Sequence, residues 1–311
     1  MNVLFIFRAP EFSPNMEDKD ALILKSVAER VENLGCTVRF IKEGNLTESD
    51  FSEIDLKGTR YSETDLKNTN LTGVDLKNTN LTEALANVQA VFSMGRRMET
   101  LKILKQMEGQ GVRVFNSPAS IDLCCNRMKL VQQLEKGNIP MPQTIAANLD
   151  EALQILELPF WMKRGDGYSQ NSHDVAFIND AADAVDQAIW MKQQGYRTVV
   201  SSRHIEGDLL KFYGVCGTDS PFFYWYYAAD GHSKFGLEKN NGAKHGYEFN
   251  QEHLADICTK AAGIANLNVY GGDCIVDKNG EIYLIDLNDW PSFSKCREQA
   301  AEAISKLIEN V

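Results

Sequence analysis

Gly271-Gly272-Asp273-Cys274-Ile275-Val276-Asp277-Lys278-Asn279-Gly280-Glu281-Ile282-Tyr283-Leu284-Ile285-Asp286-Leu287-Asn288 is the stretch from which the fold of this chain is read. Two apolar runs flank Asp277-Lys278-Asn279-Gly280, whose Asn-Gly pair tolerates the positive φ of a tight hairpin turn. Residues 272–276 and 281–286 are therefore predicted as antiparallel strands. Asp286 and Asn288 are two apart and share one strand face. Asp273 lies on the partner strand, so the turn brings three oxygen-bearing side chains to one edge. Such a donor set suits magnesium, which takes oxygen ligands and keeps waters. Acidic residues at strand ends also occur as solvated or capping groups, and both readings stand on the spacing alone.

Outward from this hairpin the chain alternates short apolar runs with helical periodicity. Strands are predicted at 158–162, 175–178, 198–201, 211–215 and 222–228. Helices are predicted at 120–137, 181–194, 253–267 and 295–309. Residues 139–142, Ile-Pro-Met-Pro, read as an extended connector. Lys163 ends the apolar run Phe160-Trp161-Met162, and Lys211 interrupts Leu209-Leu210-Lys211-Phe212-Tyr213. A lone lysine in such a run serves an anionic ligand or snorkels to the surface. Tyr224 to Tyr227 read as core and rim.

The amino-terminal part opens with a strand at 3–7, a helix at 18–34 and a strand at 37–41, a β-α-β start that implies a parallel sheet. A strand at 90–93, a helix at 99–108 and a strand at 112–115 complete a lobe ending near residue 118. Arg8 follows the first strand, and Arg96 and Arg97 follow the strand at 90–93. Strand carboxyl ends in open α/β sheets face the ligand crevice. Arginines there suit a carboxylate or phosphate substrate, or cap a turn.

Within that lobe, residues 44–83 break every regular period. Leu46, Phe51, Leu56, Tyr61, Leu66, Leu71, Leu76 and Leu81 fall five apart. Five residues advance about 500° on a helix, and an odd step changes face on a strand, so neither element buries the set. A coil with one side per five residues does. The units TDLKN, TNLTG, VDLKN and TNLTE resemble the pentapeptide-repeat family, which implies a four-sided β-helix of two coils. A polar repeat-expanded loop is the alternative, since stacked repeats need neighbours. The segment is a candidate surface for a protein partner or for self-association.

A second resemblance spans about residue 90 to the end and, more loosely, the first 43 residues. Ile285-Asp286-Leu287-Asn288-Asp289-Trp290-Pro291 resembles the magnesium-binding end of ATP-grasp enzymes. Val114-Phe115-Asn116-Ser117-Pro118 with Asn126-Arg127-Met128-Lys129 resembles the helix whose lysine contacts ATP phosphate, here Lys129. Ile139-Pro140-Met141-Pro142 with Thr144 resembles the family connector, and Phe160-Trp161-Met162-Lys163 the lid strand with the second nucleotide lysine. Residues 199–207 resemble the hinge that holds adenine by main-chain bonds, which places Ser202, His204 and Ile205 there. Two lysines from different lobes clamp phosphate charge without being consumed.

The resemblance implies an α/β ATP-grasp fold of three lobes with a pentapeptide-repeat β-helix-like insertion. Residues 1–118 form the first lobe, with the insertion at 44–83. Residues 119–311 form the ATP-grasp region, with a lid lobe at about 142–203 and a metal-binding lobe at 204–311. ATP and magnesium are the implied cofactors. Asp273, Asp286 and Asn288 hold the metal, and Lys129, Lys163, Ser202, His204, Ile205 and Asp208 the nucleotide. Lys211, Lys234 and Arg97 form the catalytic set, and Arg8, Arg96 and His173 meet the substrate. Asp208 stands one residue before the family's usual ribose acid. Lys234 lies in a glycine-rich stretch with Lys239 and Lys244. The lid loop keeps only Gly165 and Gly167 of the usual glycines, with Ser169, Ser172 and His173 as substitute donors, and the hinge lacks the usual Gln or Glu.

Net charge is −11, which leaves nucleic acid and anionic membrane as unfavoured partners. Seven cysteines without CxxC spacing read as reduced thiols, and no run approaches a membrane span, so a cytoplasmic enzyme is expected. RimK-like ligases share most motifs, and the implied reaction activates a small-molecule or peptide carboxylate as an acyl phosphate for an amine or thiol. Asn171-Ser172-His173-Asp174-Val175-Ala176 and 208–215 resemble inositol-phosphate kinases of the superfamily, whose histidine touches substrate. A kinase acting on a phosphorylated polyol is thus the alternative, and a nucleotide-dependent binding protein using the repeats a third.

Overall fold

The computed structural model describes residues 1–13, 17–46, 87–151, 156–230 and 240–311. The expected β-helix and Lys234 lie outside them. The first sheet is parallel, with order β2-β1-β3-β4, and is built from β1 (Asn2–Phe7), β2 (Thr37–Lys42), β3 (Val88–Ser93) and β4 (Arg113–Phe115). Val3, Leu4, Phe5 and Ile6 of β1 are fully buried. A parallel sheet covered on both faces requires such a continuous apolar run. Helix α1 (Glu17–Asn33) lays Ile23, Leu24, Val27, Ala28 and Val31 on one face, and Gly35 turns the chain out of it at φ +83°. Helix α2 (Met98–Gly109) covers the other face with Leu101, Ile103, Leu104 and Met107. The repeats stand in the connection from β2 to β3.

The sequence predicts one helix over 120–137. The structure has two, α3 (Pro118–Cys125) and α4 (Arg127–Lys136). Asn126 breaks the run at φ −93°, ψ 88°, and its side chain caps α4 by accepting from the Lys129 amide at 3.0 Å. The second sheet is antiparallel, order β5-β8-β6-β7: β5 (Thr144–Asn148), β6 (Phe160–Arg164), β7 (Val175–Ile178) and β8 (Thr198–Arg203). Helix α5 (Ala181–Gln193) closes it over Phe160, Met162 and Ile178.

The third sheet is antiparallel, order β10-β9-β11-β12, from β9 (Asp208–Val215), β10 (Phe222–Tyr227), β11 (Val269–Val276) and β12 (Ile282–Asp289). Helix α6 (Gln251–Ile264) packs Leu254, Cys258 and Ala261 on it. The expected hairpin joins β11 to β12. Gly280 has φ +81°, and the Asp277 carboxylate accepts from the Asn279 and Glu281 amides at 2.8 and 3.0 Å. Both strands run beyond the predicted ends, and β12 thereby takes in Asp289.

Helix α7 (Arg297–Ser305) ends in a 3-10 turn, Lys306–Asn310. The sequence reading assigns it to the third lobe. Ala300, Ala301 and Ile304 share one core with Val27 and Val31 of α1, Phe5 and Phe92 of the first sheet, and Val215 and Val269 of the third. The end of the chain closes the beginning. The described cysteines are free thiols, and no described helix is long and apolar enough to cross a membrane.

Candidate active site

Sheet register determines which side chains meet. Tyr226 on β10 stands opposite Lys211 on β9, Lys211 opposite Asp273 on β11, and Asp273 opposite Asp286 on β12. Directly opposed residues share a face, so these four form one row across the sheet. The next row on that face is Tyr224, Tyr213, Gly271 and Asn288. A Cβ at Gly271 would meet Pro291 Cγ at 2.7 Å and Phe212 O at 2.8 Å, so only glycine fits between Tyr213 and Asn288. The face forms the floor of a cleft of about 340 Å³, roofed by Trp161, Lys163 and Tyr168 of the second sheet and its loop.

Charge in the cleft is opposed at short range. Lys211 Nζ lies 3.2 Å from Asp273 Oδ1, and Asn288 Nδ2 donates to Asp286 Oδ2 at 2.8 Å. Lys163 Nζ donates to the Ile285 carbonyl at 3.0 Å, one residue before Asp286. Burial alone would raise the Asp286 carboxyl. Arg127, Lys163, the Asn288 hydrogen bond and Lys211 together outweigh it and hold Asp286 below the usual carboxylate range. Burial draws Lys163 below the usual lysine range, aided by Arg127 and opposed by Asp286 and Asp273.

A second polar knot lies at the end of β12. Asp289 is fully buried, and Arg96 Nη2 pairs with its Oδ1 at 2.6 Å while Arg8 Nη2 lies 3.9 Å from Oδ2. Tyr168 O–H donates to the same Oδ1, and the Arg96 guanidinium covers the Tyr168 ring at 3.5 Å. Arg8 also pairs with Asp20 at 3.0 Å and donates to the Met94 and Trp290 carbonyls at 3.1 and 2.9 Å. One carboxylate thus joins the first sheet, the lid loop and the third sheet. Burial would raise Asp289, but Arg96 and Arg8 hold it low.

Three sheets around such a cleft occur together in known structures. The chain superposes on D-alanine–D-alanine ligase of Bacillus anthracis, solved with ATP, with a TM-score of 0.63 and 13% identity, over 99% of this chain and 95% of that one. The RimK-domain ATP-grasp protein of Sphaerobacter thermophilus gives 0.63 at 14% identity, over 99% and 100%. D-alanyl-alanine synthetase A of Vibrio cholerae gives 0.66 at 11%, over 100% and 98%.

The chain has the ATP-grasp fold.

Pentapeptide repeats match residues 45–85 in eight copies. A search among curated proteins found no significant relative.

On the ATP-grasp frame, several residues expected at the site stand elsewhere. Lys129 is exposed and Arg127 lines the cleft in its place. Two residues advance about 200° around a helix, so the two cations point to opposite sides of α4. Arg127 faces inward because α4 docks on the lid, where it donates to the Arg164 carbonyl at 2.5 Å and the Met128 amide donates to Gly165 O at 3.0 Å. Asp208 is buried outside the cleft lining. Its carboxylate accepts the amides of His245, Gly246 and Tyr247 at 2.6, 2.8 and 2.8 Å, so it ties a loop to β9 and is not free for ribose.

His173 is exposed on the 3-10 turn Ser172–Asp174, its ring 5.4 Å from Trp190, and is outside the cleft lining. Its neighbour Asp174 shapes the lid loop instead, accepting the Gln170 and Asn171 amides and the Tyr196 hydroxyl at 2.7, 3.1 and 2.8 Å. Arg97 pairs with Glu11 at 2.6 Å, away from the cleft. Arg8 and Arg96 line the cleft, but their side chains are 6% exposed and neutralised by Asp289 and Asp20, so they brace lobes instead of offering free charge to a substrate. Glu43 is a further buried carboxylate unread in the sequence. It accepts the Ala9 and Arg96 amides at 2.8 and 2.5 Å, and the Arg97 amide, and so sets the loop that aims Arg96.

Ser202, His204 and Ile205 line the cleft with Lys163, Lys211, Asp273, Asp286 and Asn288. In the hinge, the Arg203 and His204 amides already donate to the Gln143 and Pro159 carbonyls at 2.9 and 3.3 Å.

Proposed function

We propose that this protein is an ATP- and magnesium-dependent ligase that activates a small-molecule or peptide carboxylate as an acyl phosphate, which an amine or thiol then displaces. The observation that carries the proposal is the row Lys211–Asp273–Asp286, with Asn288 beside it and Lys163 and Arg127 at its flank. Two opposed carboxylates and an amide offer oxygen donors alone, and the surrounding cations keep Asp286 ionised, which fits a magnesium ion sharing phosphate oxygens. Asp273, Asp286 and Asn288 would hold magnesium, which supplies neutralisation of the β- and γ-phosphate charge.

Lys163, Arg127 and Lys211 bind and orient the triphosphate from the lid, from α4 and from the floor. As the substrate carboxylate oxygen bonds to the γ-phosphorus, the bond to the β-γ bridging oxygen breaks and ADP leaves with that electron pair. The same cations meet charge that moves onto the leaving oxygen. The incoming amine then adds to the acyl carbon, phosphate departs, and the amine proton passes to solvent or phosphate. No side-chain nucleophile is required. The kinase reading leans on His173, and an exposed ring packed on Trp190 lends it no support.

Incubation with labelled ATP and separate pools of amino acids and peptides, amines, and inositol phosphates tests the proposal. ADP and a new amide or thioester are expected. A phosphorylated polyol as product would replace ligase by kinase.

Lys163→Met is expected to weaken ATP binding by about 1.5–3 kcal/mol, the usual worth of a charge-assisted hydrogen bond. The fold should survive, because the Lys163 amine bonds a single carbonyl. Calorimetry showing unchanged affinity would remove Lys163 from the site. Arg127→Met should weaken ATP binding similarly, whereas Lys129→Met, two residues on, should leave it within about twofold, since exposed charges contribute little.

A further inference from the structure

The hinge between the second and third sheets carries a histidine in an unusual setting. His204 follows β8 and lines the cleft with Trp161 of β6. Trp161 Nε1 donates to His204 Nδ1 at 3.2 Å. An indole nitrogen is a donor only, so Nδ1 must be the acceptor and the ring proton must sit on Nε2. Phe177 meets the imidazole edge-on, with centroids 5.1 Å apart and planes at 81°. The imidazole is therefore held in one orientation and one tautomer. Nε2–H bonds no described residue.

Protonation would place an N–H on Nδ1 against the indole N–H, so the lock also favours the neutral ring. Burial of the ring lowers its pKa, and Glu206 opposes this. In the hinge main chain, the amides of Arg203 and His204 are already occupied.

We infer that His204 is a base-reading residue: its Nε2–H donates to a ring-nitrogen acceptor on the purine of the bound nucleotide, and Trp161 is the positioning residue that holds it in that tautomer. The inference rests on the nucleotide reading of the cleft. It adds a side-chain donor where the sequence resemblance implies main-chain contacts alone.

The test pairs binding with spectroscopy on the full chain. Affinity is measured for ATP and for deaza analogues in which each ring nitrogen of the purine is replaced in turn by C–H. One analogue should bind wild type about tenfold more weakly than ATP, as expected for one lost hydrogen bond. His204→Phe should bind ATP about tenfold more weakly and no longer distinguish that analogue. His204→Gln, which keeps a donor, should retain part of the discrimination. Nitrogen-15 imidazole shifts should show Nδ1 as the unprotonated nitrogen in wild type, and a tautomer mixture in Trp161→Phe with its discrimination reduced. Wild type that binds ATP and all analogues equally, or His204→Phe that discriminates as wild type does, overturns the base-reading role while leaving the nucleotide site intact. A wild type that binds no ATP overturns the nucleotide reading itself.

Discussion

Asp286→Asn is expected to abolish turnover, with a loss on the order of a thousandfold, while the protein remains folded. Asp286 sits between Lys211–Asp273 on one side and Asn288 on the other, on the face that floors the cleft. An amide of the same shape keeps the hydrogen bond with Asn288. It removes the charge that Arg127, Lys163 and Lys211 hold ionised and that a magnesium ion requires. Added magnesium should tighten ATP binding in wild type and no longer do so in the variant. Without metal, the carboxylates repel the triphosphate, so magnesium-free ATP binding by the variant should equal or exceed that of wild type. ADP release, calorimetry at several magnesium concentrations and a thermal melt check the three parts. Turnover within tenfold of wild type would withdraw Asp286 from the catalytic site.

Asp289→Ala is expected to act on stability by about 3–5 kcal/mol, because it leaves buried guanidinium groups uncompensated. Arg8 retains Asp20, whereas Arg96 keeps no other acidic partner in the knot and loses the strongest one. The Tyr168 hydroxyl loses its carboxylate acceptor as well, which loosens the lid loop. Chemical denaturation reads the loss as a lower midpoint. Adding Arg96→Met to Asp289→Ala should restore part of it, since an apolar side chain removes the stranded charge. A loss under about 1 kcal/mol would mean that the knot behaves as an exposed ion pair does. The same linkage has a pH sign. The folded-state pKa of Asp289 is depressed, so its stabilisation is fully present above the ordinary carboxylate value of about 3.9. It is lost as pH falls through the depressed folded value. Wild type should therefore lose stability on acidification in that low window, and Asp289→Ala should lose less there.

The hairpin and its three oxygen donors were legible because their chemistry is local. Asp277-Lys278-Asn279-Gly280 makes its own turn, and a strand's period of two places Asp286 and Asn288 together whatever surrounds them. The parallel first sheet was legible for a similar reason: an apolar run with a periodic helix after it leaves few arrangements. Thr144–Asn148 escaped notice as a strand, because its short residues carry no strong alternation and its place is set by pairing with β8. The break at Asn126 was also hidden inside a continuous helical pattern, although an Asn with a cap-receiving amide three residues on is a signal that could have found it.

Side-chain directions were not legible where they depend on distant packing. Lys129 and Arg127 are equally good cations in sequence. The docking of α4 on Gly165 and Arg164 rotates Arg127 inward. Arg8 and Arg96 read as free charges at strand ends, and their partner Asp289 lies 193 residues from Arg96 and farther still from Arg8. His173 matches by position and Asp208 stands one residue off, but the Asp208 carboxylate is shared by three amides and the His173 ring is exposed.

By itself, then, the sequence determined most of the elements, the turn that pairs β11 with β12, the placing of Asp286 and Asn288 on one strand face and the five-residue repeat of 44–83, because each depends on spacing within a few residues. Only the tertiary structure decided which cations face Asp286, that α7 packs on the first and third sheets together, and that Asp289 binds three parts of the chain together. Rotation of an element about its own axis and the neutralisation of a buried charge are set by whatever packs against it, and those neighbours come from elsewhere in the chain.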